Sequence, residues 1–206
     1  MTVDPTAPTL VGIESVPLGG GYYVSIGKLP SPLYEQVRDT SWFDAFWNQH
    51  PANYHRIMIH GRLVNTPRWQ AAFGRDYDYT GAVNHAAPIT TEIQPFISWA
   101  QANIAPTLNG ALVNWYDGAL GHYIGAHHDS TKNLDPQAPI VIFSAGESRV
   151  LRLRSKQGDG GKWNVPVEAG SVLILPLDTN RAFTHEVPAS KRRLGRRISI
   201  TIRAFR

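Results

Sequence analysis

RRISITIR, residues 196–203, alternates strictly between apolar and polar side chains. Alternation at period two is the mark of a β-strand with two unlike faces. Ile198, Ile200 and Ile202 share one face, and Arg197, Ser199, Thr201 and Arg203 share the other. A polar face of this kind is either wetted by solvent or turned into a cavity. Its two arginines lie six residues apart, about 20 Å along an extended strand. Leaning toward one another, they can grip the two ends of a small dicarboxylate, because a guanidinium offers a planar fork to a carboxylate.

Upstream of this strand, from residue 110 onward, the chain is a series of short β-rich runs: ALVNWY, IVIFSA, RVLRLR and VPVEAGSVLILPL. Gly, Pro, Asn and Asp separate them, which argues for antiparallel strands in a sandwich or barrel. The N-terminal half reads differently. GGYYVSIGKLP suggests a strand ending at Pro30. SPLYEQVRDTSWF follows as a helix, with Ser31 as N-cap and Pro32 at N1. Residues 54–74 read as strand, turn and irregular loop. A second helix is expected over Glu92 to Ala105, with Pro95 in its first turn. The expected class is α+β: a β core with helices from the N-terminal half packed on it.

The chain has 206 residues, 42% hydrophobic and 17% charged, enough for a single domain (1–206) with a proper core. Residues 1–12 read as a flexible tail without the basic and apolar regions of a signal peptide. No apolar run approaches the ~18 residues of a membrane span. The expectation is a monomeric cytoplasmic protein with no membrane contact. There are no cysteines, so disulfides, thiolate metal sites and Cys nucleophiles are excluded. Any metal must be held by His, Asp and Glu. LGGGYY lacks the Lys-Ser/Thr of a phosphate loop, and SAGES lacks the elbow pattern of a hydrolase serine. The net charge of +4 is mild evidence for an anionic partner. The densest basic run, KRRLGRR at 191–197, fits either a phosphate-following track or a solvated loop.

GAHHDST, residues 125–131, concentrates two of the eight histidines beside an aspartate. His127 and Asp129, two apart on a strand or its extension, project to one side. A second histidine from a neighbouring strand would complete a two-His, one-carboxylate set, which leaves three positions open on octahedral Fe(II). His185 is the best candidate, since it follows the apolar strand GSVLILPL and a turn at DTN. His122 lies on the other side of Gly125. His50, His55, His60 and His85 fall in the N-terminal half.

Taken together, LVNWYDGALGHYIGAHHDS, APIVIFSAGESRVLRLR, VEAGSVLILPLDTNRAFTHEVP and RRISITIRAF resemble the AlkB family of Fe(II)/2-oxoglutarate-dependent dioxygenases. The resemblance covers residues 112–206 strongly. It extends more weakly upstream through NTPRWQAAFG and YDYTG, which look like the stretch before the core in duplex-DNA repair members. It implies a double-stranded β-helix (jelly-roll) core with N-terminal helices and a substrate-lid region. It implies His127, Asp129 and His185 as Fe(II) ligands. Asn114, Tyr116, Arg197, Ser199 and Arg203 would bind 2-oxoglutarate, with Arg197 on the distal carboxylate and Arg203 on the end near the metal. Ser199 stands where many relatives have Asn. The third reactant is O2.

The implied activity is oxidative demethylation of N-alkylated nucleobases in DNA or RNA, of the 1-methyladenine or 3-methylcytosine type, releasing succinate, CO2 and formaldehyde. Such enzymes hold an extruded base between flat side chains. Trp69, Phe73, Tyr77 and Tyr79 are candidates for that platform, with Arg68, His128 and Ser130 as further substrate contacts. One departure stands out. Repair members place acidic residues just after the motif's aspartate, and here the stretch is Ser130, Thr131, Lys132 and Asn133. This keeps open an AlkB-like hydroxylase acting on a small molecule or a protein side chain. A non-enzymatic binding module is disfavoured by the intact His-Asp-His set with both arginines.

Overall fold

In the computed structural model the strand Arg196–Arg203 is central to the larger of two sheets, and both of its faces are buried. The structure describes residues 11–59, 61–79, 82–158, 161–190, 192 and 195–206. The first half of the chain runs through β1 (Val11–Gly19), β2 (Tyr22–Lys28), α1 (Leu33–Gln36), α2 (Thr40–Trp47), β3 (Arg56–Ile59) and β4 (Arg62–Asn65). It continues with β5 (Trp69–Phe73), β6 (Tyr77–Tyr79), β7 (Ala82–Asn84), β8 (Ala86–Ala87) and α3 (Gln94–Asn103). The second half holds β9 (Gly110–Asp117), β10 (Ile124–His127), β11 (Ile140–Gly146), β12 (Arg149–Ser155) and β13 (Lys162–Val167). It ends with β14 (Ser171–Leu175), α4 (Leu177–Ala182), β15 (Phe183–Val187) and β16 (Arg196–Arg203).

The major sheet has the order β1-β2-β14-β11-β16-β9-β5-β8, and the minor sheet β10-β15-β12-β13. Among these pairs only β5–β8 is parallel. The major sheet is covered on both faces, so its central strands carry almost no exposed residue. Ile198, Ile200 and Ile202 join Val113, Trp115, Val141 and Phe143 under the helical layer, where Phe46, Phe96 and Trp99 meet them. The opposite face contributes Ile140, Ile142 and Leu173 to a second core, shared with Leu151, Leu153 and Val165 of the minor sheet. This is the expected jelly roll.

The N-terminal half departs from its sequence reading in several places. It supplies strands as well as helices, since β1, β2, β5 and β8 all belong to the major sheet. Val11 and Gly12, expected in the tail, already belong to β1; residues 1–10 lie outside the described residues. The helix expected from Ser31 is two. Pro32 occupies the N-cap of α1, and Ser31 Oγ donates to Glu35 instead of capping. Asp39 then starts α2 by accepting from the Ser41 N–H at 2.8 Å, which is what an N-cap carboxylate does. The second helix is shorter than expected, Gln94–Asn103. Within 54–74 the expected strand and turn belong to the hairpin β3–β4, and the expected irregular loop beyond them holds β4 and β5. Ala71 and Ala72 hid β5, because alanine has weak strand preference. Its register against β9, Trp69↔Trp115 through Phe73↔Ala111, holds it in place.

Trp115 anchors the helical layer: it is fully buried and its indole N–H donates to the Phe46 carbonyl at 3.1 Å. Trp115→Ala is expected to destabilise the fold by about 3–5 kcal/mol. Trp115→Phe is expected to lose less, about the 0.5–1.5 kcal/mol of one hydrogen bond, because the Phe46 carbonyl keeps the Gln49 N–H at 3.2 Å. Urea unfolding midpoints of the two variants check both expectations.

Candidate metal centre

β10 and β15 run antiparallel with His127 opposite His185. Directly opposed residues share a sheet face, so both imidazoles point into the space between the sheets, 4.3 Å apart at their centroids. Asp129 lies two residues beyond the end of β10. Its Oδ1 is 3.7 Å from His127 Nε2 and 3.9 Å from His185 Nε2. One ligand atom from each of the three residues falls within a 4.8 Å span. His127 Nδ1 donates to the Gly125 carbonyl at 2.8 Å, which leaves the Nε2 lone pair facing the other two residues.

The two oxygens of Asp129 have separate partners. Oδ2 accepts from Arg203 Nε at 2.9 Å and Nη2 at 2.6 Å, while Oδ1 faces the imidazoles. Burial alone would raise the Asp129 carboxyl, but Arg203, His185 and His127 together hold it well below the usual carboxylate range. Burial, reinforced by His127, pushes His185 down to about 3, so its imidazole is neutral at pH 7 and able to ligate. Two neutral imidazoles and one carboxylate form a donor set suited to Fe(II).

The triad opens on a cavity that both sheets line, with Asn114, Arg197 and Ser199 on one side and Leu151 and Val187 on the other. The major-sheet face behind it carries a polar row set by strand register, of which Asn114 and Ser199 line the cavity. Gln70 of β5 lies opposite Asn114, Asn114 opposite Ser199, and Ser199 opposite Ser144. Arg197 is buried beside this row. Its Nη2 donates to Ser144 Oγ at 3.0 Å, and its Nε and Nη1 have no hydrogen-bond partner. Burial lowers its pKa to about 10, so it remains charged at neutral pH. Tyr116 lies under the guanidinium, 5.2 Å away. A buried cation with two unsatisfied donors is a place built for an anion. The residues present therefore fit both the metal and a carboxylate co-substrate.

Of the expected co-substrate residues, Asn114, Tyr116, Arg197, Ser199 and Arg203 all line this cavity. Arg203 is also paired with Asp129. The expected substrate residues divide. Arg68 is buried and lines the cavity, with Nε on Asn114 Oδ1 at 2.6 Å and Nη2 on Gln70 Oε1 at 2.9 Å. Tyr77 lines it too, but its ring carries the Arg203 guanidinium at 4.5 Å and it is no open platform. Trp69 faces the other way. Strand alternation puts it opposite Trp115 on the helical side, where His50 stacks on it at 3.9 Å and Tyr54 at 5.5 Å. Phe73 is core. His128 and Ser130 are exposed and line an outer cleft with Lys132, Lys156 and Arg181. The side chain of Tyr79 lies outside the described residues.

KRRLGRR forms no continuous basic track among the described residues. Arg196 pairs with Asp44 at 2.7 Å and lies over Trp47, Arg197 is in the cavity, and Lys191 and Arg193 lie outside the description. Sequence reasoning missed Ser144, Gln70 and Asn180. Ser144 left a signal, a lone hydroxyl in phase with Ile140 and Ile142. Gln70 was lost with β5. The DTN turn is the helix α4, and Asn180 within it carries no periodic signal.

A family model described as the 2OG-Fe(II) oxygenase superfamily matches residues 34–203. The chain belongs to the 2OG-Fe(II) oxygenase superfamily. Membership makes Fe(II) the metal, and 2-oxoglutarate and O2 the co-substrates. The chain is 27% identical over 158 residues to the human DNA oxidative demethylase ALKBH2 and 28% identical to the mouse protein. Each match takes in 72% of this chain, but only 60% of the human protein and 66% of the mouse one. The solved structure of OsALKBH1 superposes with a TM-score of 0.60 at 15% identity, covering 93% of this chain and 99% of that one. It shows the shared fold; the family match taken with the ALKBH2 similarity bears out the AlkB resemblance. Among the described residues no helix is long and apolar enough to cross a membrane.

Two expectations follow from this geometry. Asp129→Ala removes a candidate metal ligand and also breaks the buried pair with Arg203, so it should lose Fe(II) and destabilise the metal-free protein by roughly 3–5 kcal/mol. His127→Ala should lose Fe(II) with a smaller change in stability; bound iron per chain and urea unfolding separate the two. The second concerns His122, whose Nδ1 accepts from the Asp117 N–H at 3.0 Å and whose Nε2 meets Tyr54 Oη at 3.0 Å. Burial lowers its pKa, with Arg149 and Arg68 adding to the effect. A depressed folded pKa gives stability that is full above the unfolded value of about 6.5 and is lost as pH falls below it. His122→Gln should flatten that part of the stability–pH curve between pH 7.5 and 5.5, a window around the same unfolded value of about 6.5.

Proposed function

We propose that this chain is a 2-oxoglutarate-dependent oxygenase that removes N-linked alkyl groups from nucleobases. The observation that carries the chemistry is the cavity itself, in which the His-Asp-His cluster and the unsatisfied Arg197 donors face one space. The similarity to DNA oxidative demethylases supports the choice of nucleic acid as substrate. With Fe(II), 2-oxoglutarate and O2 bound, the site would supply the oxidising power to hydroxylate an N-methyl group, which then leaves as formaldehyde.

The chain's own residues do the rest. His127, Asp129 and His185 would hold the metal. Arg197, supported by Ser144, would take the far carboxylate of 2-oxoglutarate, with Asn114, Tyr116 and Ser199 along its length. Arg203 holds Asp129 in its ligating orientation. The apolar side chains Leu112, Ile124, Ile142, Leu151 and Val187 line the remaining wall and limit the water around the reacting groups.

One observation favours a second reading, an AlkB-like hydroxylase of a small molecule or protein side chain. Among the described cavity residues Asp129 is the lone carboxylate, and it is paired. A cationic methylated base would find no further counter-charge there. The stretch after Asp129 does not decide the matter, because Ser130 is exposed and lines the outer cleft.

The test is succinate formation with Fe(II), ascorbate and 2-oxoglutarate, with and without an oligonucleotide carrying 1-methyladenine, followed in parallel by oligonucleotide mass. Succinate coupled to loss of one methyl group is expected. Succinate formation that ignores the oligonucleotide would favour the second reading. Arg197→Ala should raise the KM for 2-oxoglutarate roughly 10–100-fold, the worth of a charged hydrogen bond. An unchanged KM would remove Arg197 as the anchor.

A further inference from the structure

The β10–β15 ladder ends early. Its register pairs are Ile124↔Val187 and His127↔His185, and Asp129 lies two residues past the second. A metal ligand beyond the last strand pair needs another source of backbone order. Asn180 supplies it. Its side-chain Oδ1 accepts from the Asp129 N–H at 2.9 Å, and its Nδ2 donates to the Asp129 carbonyl at 3.0 Å. One amide thus satisfies both main-chain groups of Asp129, as a residue in a hydrogen-bonded antiparallel pair would. Asn180 is fully buried, so water does not compete for these bonds.

The clamp is itself anchored. Asn180 belongs to α4, and its neighbour Thr179 donates from Oγ1 to the Tyr23 carbonyl of β2 at 2.9 Å. α4 leads directly into β15, which carries His185. One side chain therefore joins the segment bearing the carboxylate ligand to the segment bearing the distal histidine.

We infer that Asn180 is a positioning residue for the metal centre: it fixes the Asp129 main chain so that Oδ1 faces the two imidazoles while Oδ2 stays on Arg203. The inference rests on the reading of His127, Asp129 and His185 as metal ligands. Asparagine is the residue this position calls for. Aspartate would keep the acceptor but has no N–H for the Asp129 carbonyl. Alanine would leave both main-chain groups buried and unpaired.

The experiment is titration with Co(II), whose visible absorption reports ligand geometry, into the full chain and two variants. Circular dichroism confirms that each is folded. Asn180→Ala is expected to bind Co(II) about 10–100-fold more weakly, the usual effect of losing a partner that orients a ligand, and with an altered absorption band. Thr179→Val, which loosens α4 from β2 without touching Asp129, is expected to keep the wild-type affinity and band even though it lowers the melting temperature. Wild-type affinity and band in folded Asn180→Ala would overturn the inference. Equal loss in both variants would overturn it too, since the effect would then come from general loosening of α4. Should Asn180→Ala fail to fold, Asn180→Asp carries the same test: weaker Co(II) binding with a changed band is expected, and unchanged binding overturns the inference. Failure of the unaltered chain to bind Co(II) would remove the metal-centre reading and this inference together, whereas binding by the unaltered chain and equally by Asn180→Ala would remove the inference alone.

Discussion

The ion pair between Asp129 and Arg203 is the contact on which the site depends. Both side chains are buried, so each charge is desolvated and neither is tolerable alone. The pair fastens the segment after β10 to β16, the strand at the centre of the major sheet. It also divides the carboxylate: the Arg203 contacts take Oδ2, leaving Oδ1 toward His127 and His185. The same arginine keeps Asp129 ionised despite its burial. Structural restraint and electronic tuning of Asp129 therefore come from one guanidinium.

The second constraint is the period-two alternation of β16 carried across its neighbours. One face of β9, β11 and β16 is aliphatic and aromatic and receives the helices. The other face carries the Gln70–Asn114–Ser199–Ser144 row, with Arg197 beside it. Such a polar stripe inside a jelly roll is costly unless its groups pair. Most do, with each other: Arg68 with Asn114 and Gln70, Gln70 with Asn84, and Arg197 with Ser144. Two donors of Arg197, Nε and Nη1, are left over.

The layer outside the cavity is organised around Trp69. His50 and Tyr54 stack on it, Trp47 and His122 meet it edge-on, and the hydrogen-bonded pair Tyr54–His122 ties residues 50–54 to the end of β9. The aromatics read from sequence as a substrate platform thus serve different ends. Trp69 and Phe73 join the segment before the core to the jelly roll, and Tyr77 supports Arg203.

What could be read from the sequence was whatever obeys a local period or a short spacing. The alternation in RRISITIR, the apolar runs of β9, β11 and β14, and the His127-x-Asp129 pair are all of that kind. So was the order of elements that carries the AlkB resemblance, and with it the placement of His185. What the sequence left open was decided by pairs distant in the chain. The partner of Arg203 is 74 residues away and that of Asn180 is 51 residues away. Trp69 and Arg68 are adjacent in sequence, yet only the pairing of β5 with β9 sends one to the helices and the other to the cavity. Local propensity did not reveal β5, because alanine is a poor strand former and is held in a strand here by pairing with the buried strand β9. Alternation states that a strand has two faces. Which face becomes a binding site is settled when the second sheet closes over it.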